Sequence, residues 1–478
     1  MLRLRISSQN LSKQPLAAKP VDPRAMRMDA QTYRDLEIFE AATGASLYDI
    51  CNLTRTGGGA KLLRTRMRKP WAKIEQIRAV QESITFIVEH RAAFDKLPWH
   101  TSTGGIERYL KRGLTLTTKA GRVPLMLEAL SLRLGDVRTY GRVVQGVLAA
   151  GSMVRSLRGV LDSLGGAQAK GELRVMLDEI RALIDRPDLA QLPREERWDI
   201  PGWQILDLDR MLRTDGREGL ERLLHLVYEV DALAALADTM IQYGFVMPEI
   251  VGGPLAVDAE GVYHPFIEGA VPNPVRLDQG KRMLFLTGPN MAGKTTYLRA
   301  AGIAIYLAHL GMGVPARSFR FSPCERLFTS ITITDNVRTG VSFFRAEALR
   351  MKAVAQAVAD GARVIALMDE PFKGTNLKDA LDASSEILKR LADREGNLFM
   401  VASHLIELGE MMEATGHVDC RLFEASEEGD QLRFEYRLRP GISSQRLGMR
   451  VLIEEGIFEL LDRAPIARPA QGNGQPTP

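Results

Sequence analysis

The sequence has 478 residues, 45% of them hydrophobic and 26% charged, which suits a soluble chain of two to four domains with substantial cores. Its 63 basic residues against 59 acidic leave a net charge of +4, so a nucleic-acid partner is neither demanded nor excluded and any basic surface is local. Three scattered cysteines, Cys51, Cys324 and Cys420, form no C-x-x-C pair and argue against a disulfide framework or zinc site, and no apolar run approaches the length of a membrane span.

Residues 1–28 carry Arg3, Arg5, Lys13, Lys19, Arg24 and Arg27 against Asp22 alone. Such a segment reads as a transit peptide, a nucleic-acid arm, or a plain disordered tail with Met26 or Met28 as the true start. Pro20 and Pro23 break any amphipathic helix, which favours the tail.

From Asp29 to about Tyr243 apolar residues recur at three- and four-residue spacing, as in Leu223, Val227, Val230 and Leu233. Helices are predicted at Ala30–Ala42, Ala60–Arg68, Ile74–Phe94, Val123–Leu148, Leu173–Ile184 and Gly219–Tyr243. The stretch Arg186–Gly216, with three prolines, reads as a loop-rich interruption. Gly57-Gly58-Gly59 lacks a preceding strand and a Lys-Ser/Thr ending, so it reads as a tight turn rather than a phosphate loop. Between Asp49 and Glu75 every charge is basic, and Lys61, Arg64 and Arg68 share one helical face. That face is either a phosphate-backbone contact or a solvated surface paired with carboxylates elsewhere.

At Met247–Asp258 short strand-like runs, prolines and glycines replace the long helices, and the chain becomes α/β. The apolar run Met283–Leu286 leads into TGPNMAGKTTYL, and a helical pattern follows it. Gly288, Gly293, Lys294 and Thr295 satisfy the phosphate-loop pattern G-x-x-x-x-G-K-[ST]. Backbone N–H groups of such a loop wrap a polyphosphate at a helix N-terminus. Lys294 then reaches the β- and γ-phosphates, and Thr295 offers its hydroxyl to Mg²⁺. The chain is therefore expected to bind a nucleoside triphosphate.

Strands at Ser318–Ser322, Leu327–Thr334, Val364–Met368 and Leu398–Ala402 alternate with helices at Phe344–Ala359 and Leu381–Ala392, the pattern of a mainly parallel sheet. Val364–Met368 runs into Asp369-Glu370, a Walker B arrangement in which Asp369 serves the metal and Glu370 polarises the attacking water. His404, just past the next strand, points to the ligand crevice of an open parallel sheet and to γ-phosphate sensing. His264 is a weaker candidate, equally readable as a loop residue. The stretch from Pro465 to the end has the composition of a disordered tail.

These residues carry a family resemblance. TGPNMAGKTTYLR resembles the phosphate loop of the MutS DNA mismatch-repair ATPases, including its Asn-Met insertion. YHPFIEGAVPN resembles the lead-in to that ATPase domain, TDNVRTGVSFFRAE its signature segment, DEPFKGTN its Walker B segment and SHLIEL its histidine switch. GISSQRLGMRVLIEEGI is similar to the closing segment. SLYDICNLTRTGGGAKLLRTRMRKP and YEVDALAALADTMIQYGFVMPEI are similar to the opening and closing parts of the helical core, or lever, domain.

The resemblance implies a multidomain chain: an all-α lever domain over 29–246, then an α/β P-loop (ABC-like) ATPase domain over 247–464, between tails at 1–28 and 465–478. It implies ATP and Mg²⁺ as ligands, with Gly288, Pro289, Asn290, Met291, Ala292, Gly293, Lys294, Thr295 and Thr296 around the phosphates. Thr295 and Asp369 serve the metal; Glu370, His404 and Lys294 serve catalysis. It further implies a homodimer with composite sites, in which Ser342 of one subunit reaches the γ-phosphate bound by the other. DNA is the implied partner, with no membrane, and the location is cytoplasmic, on the nucleoid when DNA is bound.

Departures matter as well. Ala292 stands where the family has glycine, Thr339 replaces serine before Gly340, and Pro371-Phe372-Lys373 replaces Ile-Gly-Arg. The aromatic expected near Ala270 and Val271 to stack on adenine is absent. Nothing in the sequence matches the mismatch-reading and connector domains, and there is little room for the DNA-encircling clamp. The expectation is thus a DNA-binding ATPase acting on structured or branched duplexes rather than reading mismatches. The alternative is an ATP-gated protein scaffold that makes no direct DNA contact.

Overall fold

The computed structural model describes residues 22–111, 117, 119–193, 199–332, 343–428, 431–445 and 447–463. Among these, helices fill the chain as far as Tyr243. They are α1 (Ala30–Asp35), α2 (Leu47–Cys51), α3 (Gly57–Met67), α4 (Ile74–Glu89), α5 (Arg91–Phe94) and α6 (His100–Lys111). Then follow α7 (Arg122–Gly135), α8 (Val137–Leu164), α9 (Gly171–Ile184), α10 (Gly202–Arg213) and α11 (Arg217–Tyr243). Helix α11 buries residues nearly all round because α3, α4, α9 and α10 pack about it.

Several predicted helices are cut shorter, each for a local reason. The first stops at Asp35, not Ala42, because Glu37 takes a positive φ of 51°. Ile74–Phe94 breaks at His90, where ψ reaches 28°. Val123–Leu148 breaks at Asp136, whose carboxylate accepts from the Thr139 N–H and caps a new helix. The stretch read as loop over Arg186–Gly216 contains α10, with Ile205, Leu206, Leu208 and Leu212 buried.

The three glycines are also not a turn. They form the first turn of α3, capped by the Thr56 hydroxyl, which accepts from the Gly59 N–H at 2.9 Å. A Cβ on Gly58 would lie 2.2 Å from the Tyr228 ring of α11. Close helix approach, rather than chain reversal, explains the glycines.

Residues 22–28, assigned to the tail, are tied to the body through one buried side chain and backbone hydrogen bonds. Met26 is buried, and its N–H donates to Pro70 O at 2.8 Å. The Arg27 N–H donates to Glu325 O, and the Leu327 N–H donates to Arg27 O. A chain starting at Met28 would lack this buried residue.

The strands begin with β1 (Glu249–Ile250), β2 (Val257–Val262), β3 (Asn273–Leu277) and β4 (Met283–Thr287), followed by helix α12 (Lys294–Leu310). After them come β5 (Ser318–Phe321), β6 (Arg326–Ser330), α13 (Phe343–Ala359), β7 (Val364–Asp369), α14 (Leu377–Ala392), β8 (Leu398–Ala402) and α15 (Ile406–Glu413). The chain closes with β9 (Val418–Leu422), β10 (Ala425–Glu428), β11 (Gln431–Phe434), β12 (Arg439–Pro440), α16 (Gly448–Glu454) and α17 (Ile457–Asp462).

Among the described residues, the central sheet has the order β12-β9-β4-β8-β7-β6, parallel except for the β12–β9 pair. A smaller sheet, β1-β5-β2-β3, is mostly antiparallel, and β10-β11 is a hairpin. Strands β4 and β8 are buried at every position, as expected where helices cover both faces. Helix α12 lies between β7, β8, β2 and α4, so it joins the helical half to the sheets. The Tyr306 hydroxyl donates to Met67 O at 2.5 Å across that joint. No helix among the described residues is long and apolar enough to cross a membrane.

Candidate nucleotide site

Strand register brings the chemistry together. Leu286 of β4 pairs with Ala402 of β8, and Asp369 of β7 pairs with the same Ala402. Three parallel strands therefore end side by side, and the residues just beyond them gather at one edge. This is where open α/β sheets bind ligands.

The loop after β4 is built to curl. Gly288 and Gly293 have φ of 141° and 99°, and even Met291 sits at 70°. Gly293 also needs to be small, since a Cβ there would lie 3.1 Å from the Tyr436 ring. Lys294 is buried, and its ammonium donates to Gly288 O at 2.7 Å and Pro289 O at 3.0 Å. Burial lowers its pKa, and the Glu370 and Asp369 carboxylates oppose that shift. Polyphosphate oxygens would supply the anionic partner that two carbonyls do not.

The Thr295 hydroxyl donates to Asp369 Oδ2 at 2.5 Å. Two hard oxygen donors beside a phosphate loop fit Mg²⁺, which keeps waters and takes its remaining ligands from phosphates. Among the described residues no cluster of three or more metal-ligating side chains occurs, so the protein alone offers this ion only a partial shell. Burial raises the Asp369 pKa, while the Thr295 hydroxyl lowers it.

Glu370 follows with φ of 49°, a left-handed conformation costing about 1–3 kcal/mol and found mostly at functional positions. Its N–H donates to Ala402 O at 2.8 Å, which fixes the side chain at the β7–β8 edge. His404 Nδ1 lies 3.0 Å from Glu370 Oε1. That hydrogen bond lowers the Glu370 pKa and raises the His404 pKa, so the pair favours carboxylate and imidazolium together.

These groups border a cavity of about 490 Å³, a size suited to a nucleotide. Asn290, Met291, Gly293, Lys294, Thr295, Thr296 and Glu370 line it. Ala292 is buried within the loop, Gly288 and Pro289 direct carbonyls to Lys294, and His404 does not line the cavity but is hydrogen-bonded to Glu370. Ser342, with Thr339 and Gly340, lies outside the described residues.

Two lining residues carried little or no sequence signal. His264 is buried in the wall, where desolvation holds its pKa down at about 4, so it is a neutral acceptor near neutral pH. The Phe266 N–H donates to its Nδ1. Tyr436 also lines the cavity and is 44% exposed. Asn273 secures this arm: its Nδ2 donates to Tyr436 O at 2.8 Å, and its Oδ1 accepts from the Leu438 N–H at 2.7 Å. An aromatic face is thus present in the cavity, although Ala270 and Val271 supply none.

The flanks of the signature segment are anchored. Asp35 of α1 accepts from the Thr329 hydroxyl at 2.7 Å and from the Ile331 and Thr332 N–H groups. Glu347 of α13 accepts from the Lys373 and Gly374 N–H groups, which fastens the changed Pro371-Phe372-Lys373 turn to that helix. The basic stretch is mostly engaged within the chain. Arg55 pairs with Asp95, Arg66 with Glu172 and Lys73 with Glu325, while Arg64 and Arg68 lie over the Phe39 ring.

Comparison with known proteins gives a family and a relative. Residues 284–464 match the family described as MutS domain V. The chain is also 26% identical to the DNA mismatch repair protein MutS of Aquifex pyrophilus over 537 aligned positions, covering 93% of this chain and 62% of the relative. It therefore spans less than two thirds of that relative's length.

Proposed function

This chain belongs to the MutS family, and on that premise we propose that it is a Mg²⁺-dependent ATPase that couples hydrolysis to DNA binding in repair or recombination. The observation that carries the reading is the convergence of Lys294, the Thr295–Asp369 pair and the Glu370–His404 pair on one strand edge beside a nucleotide-sized cavity.

In this reading the loop N–H groups and Lys294 bind the triphosphate, and Tyr436 lies against the base. Thr295 and Asp369 hold Mg²⁺, which when bound offsets phosphate charge. Glu370, kept anionic by His404, accepts a proton from the water that attacks the γ-phosphorus; the γ-phosphate–ADP bond breaks as the new P–O bond forms. A γ-phosphate near His404 would compete with Glu370 for the imidazolium, linking nucleotide state to the geometry of the base.

The helical half acts as the lever domain, with α1 and α12 linking it to the ATPase half. We further propose an ATP-gated homodimer in which Ser342 of the partner subunit completes each site. The exposed Met449, Ile453, Leu460 and Leu461 on α16 and α17 support a second copy there. The preferred DNA is structured or branched duplex, read by shape and backbone, and the protein works in the cytoplasm, on the nucleoid when bound.

One observation favours the scaffold alternative: of the seven basic residues over Arg55–Lys73, three are ion-paired within the chain and two more lie over the Phe39 ring. ATP hydrolysis measured at fixed salt with linear, mismatched and four-way-junction DNA separates the two. The largest stimulation by the junction supports the DNA reading. Hydrolysis unaffected by all three replaces it with the scaffold.

A further inference from the structure

Helix α7 has two apolar faces. Leu125 and Ala129 are buried where α7 packs against α8 and α10. On its outer side Val123, Met126, Leu127, Leu130 and Leu134 are each more than half exposed. Five such side chains make a patch on the order of 500 Å², within the upper part of the range a monomer ordinarily exposes. A solvated helix would carry polar residues on that side.

The pattern has a centre. Met126 and Leu134 lie four residues either side of Leu130 on the same helix. A two-fold interface needs such self-complementarity, since residue i of one copy meets residue j of the other and the reverse. With the axis at Leu130, antiparallel copies of α7 would place Leu130 on Leu130, Met126 on Leu134, and Leu127 against the stem of Arg133. Two copies together would bury about 1,000 Å², the least area a specific association needs.

We propose that the outer face of α7 is a self-association surface, occupied by α7 of a second copy of this chain, independent of nucleotide. The inference does not rest on the ATPase reading, because none of these residues touches the cavity. With this axis Arg122 of one copy faces Arg138 of the other and the two repel, which the exposed Asp136 beside Arg138 offsets only in part. Raised salt would therefore preserve or tighten the contact, whereas a nucleic-acid bridge between copies would weaken with salt.

The test uses the full chain without nucleotide. Under mild oxidation L130C is expected to form a disulfide-linked dimer much faster than R174C, a control at another exposed helical position, while the wild type does not crosslink. Sedimentation velocity at low and high salt is expected to show wild-type self-association at tens of micromolar, weakened about tenfold or more in Leu130→Glu, with nucleotide binding unchanged. Three results would each overturn the proposal: crosslinking of L130C no faster than R174C, Leu130→Glu associating like the wild type, or association lost on raising salt.

Discussion

His404 Nδ1 stands 3.0 Å from Glu370 Oε1, so the residue expected to activate water and the residue expected to sense phosphate are one hydrogen-bonded pair. Their ordinary pKa values are 6.5 and 4.5, and the pair moves them apart, His404 upward and Glu370 downward. The contribution of this ion pair to stability is full between about pH 4.5 and 6.5. It is lost as the pH falls through the lowered Glu370 value, and lost again as the pH rises through the raised His404 value. A histidine NMR titration should place His404 above 6.5, returning toward 6.5 in Glu370→Gln. An unchanged midpoint in that variant contradicts the pairing.

Tyr436 presents the aromatic face of the cavity from a strand end remote in sequence from the phosphate loop. Tyr436→Ala should weaken ATP binding about three- to tenfold, the range of one lost aromatic contact. Tyr436→Phe should bind like the wild type, because the ring rather than the hydroxyl is used. Fluorescent-nucleotide titration measures both, and an unaffected alanine variant removes Tyr436 from the base site.

Gly58 lies under the Tyr228 ring, which is held by a 2.7 Å hydrogen bond from its hydroxyl to Glu107. Alanine favours a helix by about 1 kcal/mol over glycine. Forcing a methyl against this ring costs about 1–3 kcal/mol, and the clash should win. Gly58→Ala should therefore lower the thermal midpoint by a few degrees. A rise would mean that α3 and α11 sit further apart than described here.

Much of the site was legible because its chemistry is local. Lys294 and Thr295 follow their glycines directly, and Asp369-Glu370 directly follow an apolar strand, so short windows contain each pattern. Pairing between segments was not legible. Asn273 grips Tyr436 across 163 positions, and Asp35 grips Thr329 across 294, with no periodic signal to join them. Boundaries failed for a similar reason. Asp136 and His90 break helices by their own backbone angles within runs whose apolar spacing continues. The glycines of α3 look like a turn in sequence because the α11 neighbours that require them lie about 170 residues away.

ATP hydrolysis in this cavity, with Glu370 as the base, is open to a direct assay. Steady-state hydrolysis by the wild type and Glu370→Gln, with Mg²⁺ and with a chelator, tests it most directly. The expected result is Mg²⁺-dependent turnover that falls about 10²- to 10⁴-fold in the variant while ATP binding is retained. A variant that hydrolyses ATP like the wild type, or a wild type that binds ATP with Mg²⁺ and never turns it over, would contradict it.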